Sequence, residues 1–398
     1  MSKETDEELP RNVVSGIHFS PDIHDVMGLI RWLYSSSDPH YYVADELLSQ
    51  SLVGRTVIVT GATGCFGSGI SELLVKQGAT VVLAVRRLDA GEALAAKLNS
   101  EGSSGKALAM RVDLNDLKSI EAFATSFAAK HDSLHLLVEN AAVCCIGNTP
   151  VAETGFEPHL AANHYGHIYL RHHLEPLLAA SAPSRIVCVA SALHDRLFTE
   201  EPTTLDLDAS PTHLGFTTDP AIGQLQQWMA YARTKLCNVL SALAASERLA
   251  AKGVMICSVH PGIDTSTGLF RNMPKGAFIM WLFGRFIGVQ TTHQCLQSIL
   301  YCCLEEHDKL QPGAFYSQWW KAKYRDGQIG GWPMKSPNPF VTPEHAARLE
   351  AISYAALGLA VPGAPKQASP GGAQEDGAQQ NVVSATPPTA AVLAAEVA

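Results

Sequence analysis

Ser191, Tyr231 and Lys235 are the residues of this sequence whose types and spacing suit proton transfer to a substrate oxygen. Tyr231 and Lys235 stand four apart in YARTK, so a helix carries both on one face, a turn from each other. A phenol with its usual pKa of about 10 shuttles protons poorly at neutral pH, and a neighbouring ammonium favours the phenolate. Ser191 ends the apolar run RIVCVA at 185–190, where its hydroxyl could hold a substrate oxygen while charge shifts. Alone, a Tyr-x-x-x-Lys pair is more often an exposed helix face than a proton-transfer site.

Those residues need a frame. The stretch TVIVTGATGCFGSGI at 56–70 is a β-branched run that breaks into glycines and then into a helical pattern. Gly61 suits the tight turn, and Gly64 and Gly67 leave room for a ligand to approach the chain. The helix after them aims unpaired N–H groups and its positive end at the loop, which suits a pyrophosphate. An ordinary strand-to-helix turn would look the same. Beyond it, apolar runs at 80–85, 107–112, 134–139, 185–190 and 254–260 alternate with helical patterns, and a short strand near Ala314 closes the series. That rhythm predicts an α/β fold, a doubly wound parallel sheet of the Rossmann kind, in which ligands bind beyond the carboxyl ends of the strands.

The residues following each strand are therefore the candidates. Arg86 and Arg87 stand where a carboxylate would hold a ribose 2′-hydroxyl, which favours a 2′-phosphate and hence NADP, though two arginines at a strand end also suit plain solvent. Asp113 could accept from an adenine amino group, and Asn140-Ala141-Ala142 lets the backbone pass close to a cofactor.

Composition bounds the rest. Of 398 residues, 46% are apolar and 17% charged, enough for a sizeable core, and the net charge of −9 argues against a nucleic-acid partner. Nine cysteines without CxxC spacing fit a reducing compartment better than zinc or a disulfide framework. The acidic N-terminus resembles neither a signal nor a transit peptide, and no apolar run reaches the roughly 20 residues of a membrane span. His159, His164, His167, His172 and His173 crowd one helical segment, yet a metal would need converging ligands with a third partner, and none is expected. The expected organisation is an N-terminal extension over 1–51, one domain over 52–360 and a disordered tail over 361–398.

Taken in order, the glycine turn, Asp113, Asn140, Asn163, Ser191, Tyr231 with Lys235, and His260-Pro261-Gly262 resemble the short-chain dehydrogenase/reductase superfamily over roughly residues 52–306. VRR at 85–87, GFEPHLAANHYGHIYL at 155–170, YARTKLCNVL at 231–240 and HPG at 260–262 are similar to its retinol dehydrogenase and WW-domain oxidoreductase branch. The resemblance implies Tyr231 as catalytic acid/base, Lys235 lowering its pKa while binding the nicotinamide ribose, Ser191 positioning the substrate, and Asn163 steadying a relay water. It implies Gly61, Gly64 and Gly67 on the pyrophosphate, Arg86 on the 2′-phosphate, Asp113 on the adenine, Asn140 near the cofactor, and Pro261 with Gly262 beside it.

Three departures accompany it. Cys65 stands at the loop's usual middle glycine, Ala142 replaces a glycine, and the long insert 195–228 carries Glu200, Glu201, Asp206, Asp208 and Asp219, which predicts an acidic flap near the substrate mouth. The nearly all-apolar GAFIMWLFGRFIGV at 276–289 reads either as a lid over the substrate or as an interfacial helix dipping into lipid; both favour a greasy substrate. The sequence thus predicts an NADP-dependent oxidoreductase of lipid metabolism acting on a small hydrophobic molecule such as a retinoid, steroid or lipid aldehyde. The expected location is cytoplasmic, open to peripheral membrane contact and to homodimer formation. The rival reading is a catalytically idle scaffold.

Overall fold

The computed structural model describes residues 43–195, 201–217, 219, 223–262, 264, 267, 291–317 and 336–362. The extension up to residue 42, the apolar stretch 276–289 and the tail from 363 lie outside the described residues.

Seven strands form one parallel sheet: β1 (Thr56–Thr60), β2 (Thr80–Val85), β3 (Lys106–Arg111), β4 (Leu136–Glu139), β5 (Ser184–Val189), β6 (Val254–His260) and β7 (Phe315–Ser317). Their order in the sheet is β3-β2-β1-β4-β5-β6-β7. The winding reverses between β1 and β4, and that crevice is where a doubly wound sheet takes its ligand. The expected Rossmann fold is the observed one.

Strand residues alternate between two cores. Val57 and Val59 face one side, with Val81 and Leu83, and are covered by α2 (Cys65–Lys76), α3 (Leu88–Ser100) and α7 (Thr292–Leu304). Ile58, Val82, Leu137, Ile186 and Ile256 face the other, under α4 (Leu117–Ala128), α5 (Gly166–Ala180) and α6 (Gln224–Ala250). Both faces are covered, so the strands read as continuous apolar runs rather than alternating ones. Among residues counted with the extension, Val43 sits in the first core, and α1 (Asp45–Ser49) runs beside it. Val43 N donates to Gln297 Oε1 at 3.0 Å, and Gln50 Nε2 to Leu304 O at 3.0 Å, which tie this segment to α7.

One predicted helix is not uniform. The helical segment that carries the crowded histidines enters as a turn, Pro158–Leu160, capped by Glu157, and passes through a π-helical stretch, Ala161–Tyr165, before becoming α5. Such widened turns often occur at functional sites. A Cβ at Gly166 would lie 2.3 Å from Leu114 O, so the helix presses directly on the loop after β3.

The stretch 201–217 of the insert has two sides: Glu201, Asp206 and Asp208 are exposed, while Leu205, Leu207, Leu214 and Phe216 are buried with Leu160, Leu236 and α8 (Pro343–Ala356) residues Ala346, Leu349 and Tyr354. Asp208 pairs with Arg348 at 2.6 Å, and Arg233 donates to Gly215 O at 2.9 Å. The acidic residues alone suggest a segment turned to solvent, while four spaced apolar side chains decide the packing.

Candidate active site

β1 ends in Thr60, and the chain turns at Gly61 with φ +63°, a region closed to most side chains. A Cβ there would also meet Ala141 Cα at 2.9 Å. Ala62, next in the turn, is buried in the first core. At Gly67, in the first turn of α2, a Cβ would lie 2.4 Å from Gly61 O and 3.0 Å from the Asn140 side-chain nitrogen. Gly64 caps the helix N-terminus, donating to Gly61 O at 2.9 Å. Asn140 locks the neighbouring strand end to this turn: its side chain donates to Thr60 O at 2.8 Å and its N–H to Thr60 Oγ1 at 2.9 Å.

Beyond these strand ends lies a cavity of about 570 Å³. It runs from Arg86, Arg87 and Asp113 at one end, past Gly61, Gly64, Gly67 and Asn140, to Tyr231, Lys235 and Pro261 at the other. Arg86 and Arg87 are exposed, while Asp113 is half-buried and accepts the Asn115 N–H at 3.1 Å. Gly262 follows Pro261 with φ +116°, turning the chain away from β6.

The reactive side chains converge at the far end. Tyr231 and Lys235 face inward from α6, 6% and 1% exposed, and Ser191 hydrogen-bonds Tyr231 from the end of β5. Burial raises the Tyr231 phenol well above its usual range, Cys144 adds to the rise, and only the Ser191 hydrogen bond opposes it. Burial lowers Lys235 to about 8. Its Nζ donates to Val189 O at 2.7 Å and lies 5.5 Å from the centre of the Tyr231 ring. Desolvation dominates in this state, with the ammonium aimed at a carbonyl and the ring face, so the lowering expected from Lys235 does not show as a net shift.

Asn163 sits in the π-helical stretch, fully buried. Its amide donates to Val143 O at 2.9 Å and Thr234 Oγ1 at 3.1 Å and accepts from Val143 N at 2.8 Å. The side chain is a brace between the strand-β4 loop and α6, with both ends of its amide engaged by protein.

Cys65, the departure in the glycine turn, begins α2 and turns its thiol toward Thr292 Oγ1, at 3.3 Å, and Asp264 Oδ2, at 3.7 Å. The histidines diverge: His159 pairs with Glu157 at 2.6 Å, His164 with Ser353 Oγ at 2.8 Å, and His167 with Thr60 Oγ1 at 3.0 Å. Among the described residues no three His, Cys, Asp or Glu side chains gather as a metal site requires.

Sequence reasoning missed Thr60 and Thr234. Thr60 Oγ1 gathers the N–H groups of Asn140 and Ala141 and meets His167, and Thr234 carries the Asn163 brace to Tyr231 O at 2.7 Å. Their positions, beside a glycine turn and inside the Tyr-Lys turn, were the available signal.

A parallel sheet with its crevice at β1 and β4, a glycine turn, and a buried Ser-Tyr-Lys group define a dinucleotide-binding oxidoreductase site. The family model for short chain dehydrogenase matches residues 55–199. Human retinol dehydrogenase 11 is 35% identical over 285 residues, covering 70% of this chain and 83% of that protein. Human dehydrogenase/reductase SDR family member 13 is 35% identical over 267 residues, 67% of each. Chicken (Gallus gallus) WW domain-containing oxidoreductase is 35% identical over 228 residues, 57% of this chain and 53% of that one. Among solved structures, the Pseudomonas aeruginosa RhlG/NADP active-site complex shares the fold with a TM-score of 0.52 at 20% identity, covering 67% of this chain and 95% of that one. The chain belongs to the short-chain dehydrogenase/reductase superfamily, in its retinol dehydrogenase-like branch.

Proposed function

We propose that the protein is an NADP-dependent oxidoreductase that moves hydride between a nicotinamide and the carbonyl or alcohol carbon of a hydrophobic substrate, of the retinoid, steroid or lipid-aldehyde class. The observation that carries this reading is the continuous cavity joining exposed Arg86 and Arg87 at one end to Tyr231 and Lys235 at the other. The cradle fits a dinucleotide: side chains are missing at Gly61 and Gly67 where a Cβ would collide with backbone, and the α2 N-terminus faces the gap. Gly61, Gly64 and Gly67 would hold the pyrophosphate, Asp113 the adenine, Arg86 the 2′-phosphate, and Pro261 and Gly262 would border the nicotinamide end.

When bound, the nicotinamide supplies or takes up the hydride. Tyr231 holds the proton that the substrate oxygen gains on reduction and gives up on oxidation. Its pKa above the usual phenol range keeps it protonated at neutral pH, and a positive charge beside it is what eases the proton's release. Ser191 orients the substrate oxygen onto the phenol. Lys235, charged below about 8, fixes the ribose and stabilises negative charge on Tyr231 as the proton leaves. Asn163 and Thr234 keep α6 in register with the loop after β4. Trp228 and Leu193, packed around Tyr231, exclude water and present an apolar wall.

The preference for an apolar substrate agrees with that wall and with the retinol dehydrogenases the chain resembles. Among the described residues no helix is long and apolar enough to cross a membrane. A cytoplasmic location with peripheral membrane contact, through which an apolar substrate would arrive, belongs to the same proposal. The test is turnover of a panel of aldehydes and ketones, retinal included, with NADPH against NADH. A protein that binds NADPH tightly yet reduces none of them is the scaffold instead.

A further inference from the structure

Two adjacent cysteine pairs occur in the chain, and the structure treats them differently. Cys302 and Cys303 lie buried in α7 within the first core, where burial raises both thiols. Cys144 and Cys145 lie in the loop after β4, directly after Val143 in the cavity wall, with their sulfurs 3.5 Å apart. Cys144 is buried against Trp228, Tyr231 and Ala232, and Cys145 is half-exposed at φ +54°. None of the nine cysteines is in a disulfide.

We propose that Cys144 and Cys145 form a reversible modification site, a dithiol that closes to a disulfide by exchange with a low-molecular-weight disulfide and thereby switches off the neighbouring Tyr231 centre. The first step is attack by the Cys145 thiolate on the small disulfide, giving a mixed disulfide and releasing one small thiolate. The Cys144 thiol then loses its proton and attacks Cys145 Sγ, expelling the second small thiol. Two protein thiols and one disulfide become one protein disulfide and two small thiols, and the two electrons pass to the small molecule.

Three features favour this pair. Cys145 is the accessible sulfur, and the Cys144 S–H hydrogen-bonded to it lowers its pKa, while the same contact and burial raise Cys144. The resolving thiol is already within 3.5 Å, so only the local twist of ring closure separates the two sulfurs from a bond. Third, Cα atoms of adjacent residues lie about 3.8 Å apart, shorter than the roughly 4.4–6.8 Å that an ordinary disulfide spans. The bridge is therefore strained and readily reduced, which is the property of a labile, regulatory disulfide rather than a structural one.

The consequence for the site follows from what holds the loop. Val143 is pinned at both its N–H and its carbonyl by Asn163, so the twist of ring closure falls on residues 144 and 145. Cys144 passes it to the Tyr231 ring on which it packs. A displacement of an ångström at a reacting group costs about a hundredfold in rate. This consequence rests on the proposed role of Tyr231; the bridge itself does not.

The experiment equilibrates the full chain with graded ratios of oxidised to reduced glutathione. Peptide mapping, turnover with NADPH and NADPH binding are read on the same samples. The expected result is a peptide carrying Cys144 and Cys145 that loses two hydrogens without retaining glutathione. Turnover should fall about a hundredfold in step, NADPH binding should persist, and reductant should reverse both changes. Cys145→Ser and Cys145→Ala should resist the oxidant, whereas Cys65→Ser should lose the same fraction of its activity as the wild type. Glutathione remaining on Cys145, or no bridged peptide under conditions that modify Cys65, overturns the dithiol site. A bridged peptide with unchanged turnover overturns the switch. If no substrate is turned over at all, the mapping still decides the bridge.

Discussion

At the scale of single residues, groups that touch the reaction separate from groups that hold them. Arg86 is the simplest to isolate, because it is exposed at the cavity end and its loss leaves the core untouched. A charge-assisted hydrogen bond is worth about 1.5–3 kcal/mol, about tenfold or more in affinity. Arg86→Asp should therefore lose at least that preference for NADPH over NADH, as a fluorescence titration with both cofactors would report; an unaltered ratio would remove the arginine from the site. Lys235 carries a stability signature. Its folded-state pKa of about 8 lies below the ordinary 10.5, so between those values the unfolded chain binds more protons than the folded one. The cost of burying the charge is fully present below about 8 and is relieved as pH rises toward 10.5. Denaturant midpoints of the wild type should rise relative to Lys235→Met across that window, and parallel curves would show that the ammonium is not desolvated.

At the scale of elements, the site is a set of strand ends and helix starts brought into register. Gly67 shows how little slack there is: a methyl there meets Gly61 O at 2.4 Å, with no flexible side chain to move aside. Gly67→Ala should cost about 1–3 kcal/mol, the usual range for overpacking, and weaken NADPH binding together with thermal stability. Loss of neither would mean that α2 and the turn are free to shift. Much of this was legible in the chain. The β-branched runs ending in Thr60, Val85 and Val189 marked strands, and the residues just after them marked the cavity, because a parallel sheet puts its functional groups there. The π-helical stretch at 161–165 was not legible, since its amphipathic pattern is that of an α-helix. The fold of the insert was hidden by its charges. The direction of the Tyr231 shift was also beyond sequence, because a four-residue spacing gives proximity to Lys235 but not the depth of burial or the aim of the ammonium.

At the scale of the whole molecule, one buried ion pair joins the cores to the site. Arg171 on α5 holds Glu139, the last residue of β4, with bonds of 3.0 and 2.6 Å, and both side chains are 4% exposed. Burial pushes the Glu139 carboxyl up, but the guanidinium outweighs it and holds the pKa below its usual value. Arg171→Met would strand that carboxylate one residue before Asn140, and breaking a buried pair from one side costs about 3–5 kcal/mol. Urea unfolding should show a loss of that size, with part of it recovered in Arg171→Met/Glu139→Gln; a near-neutral single mutant would mean that water reaches the pair. The frame so held exists, on this account, to present one phenol to one substrate oxygen. The most direct measurement is NADPH-dependent turnover of a hydrophobic aldehyde by the wild type and by Tyr231→Phe, with NADPH affinity titrated on the same preparations. The phenylalanine keeps the ring in its packing against Trp228, so affinity should hold while turnover falls by about a hundred- to ten-thousandfold, the range for a lost general acid. Turnover that survives in Tyr231→Phe would contradict the account.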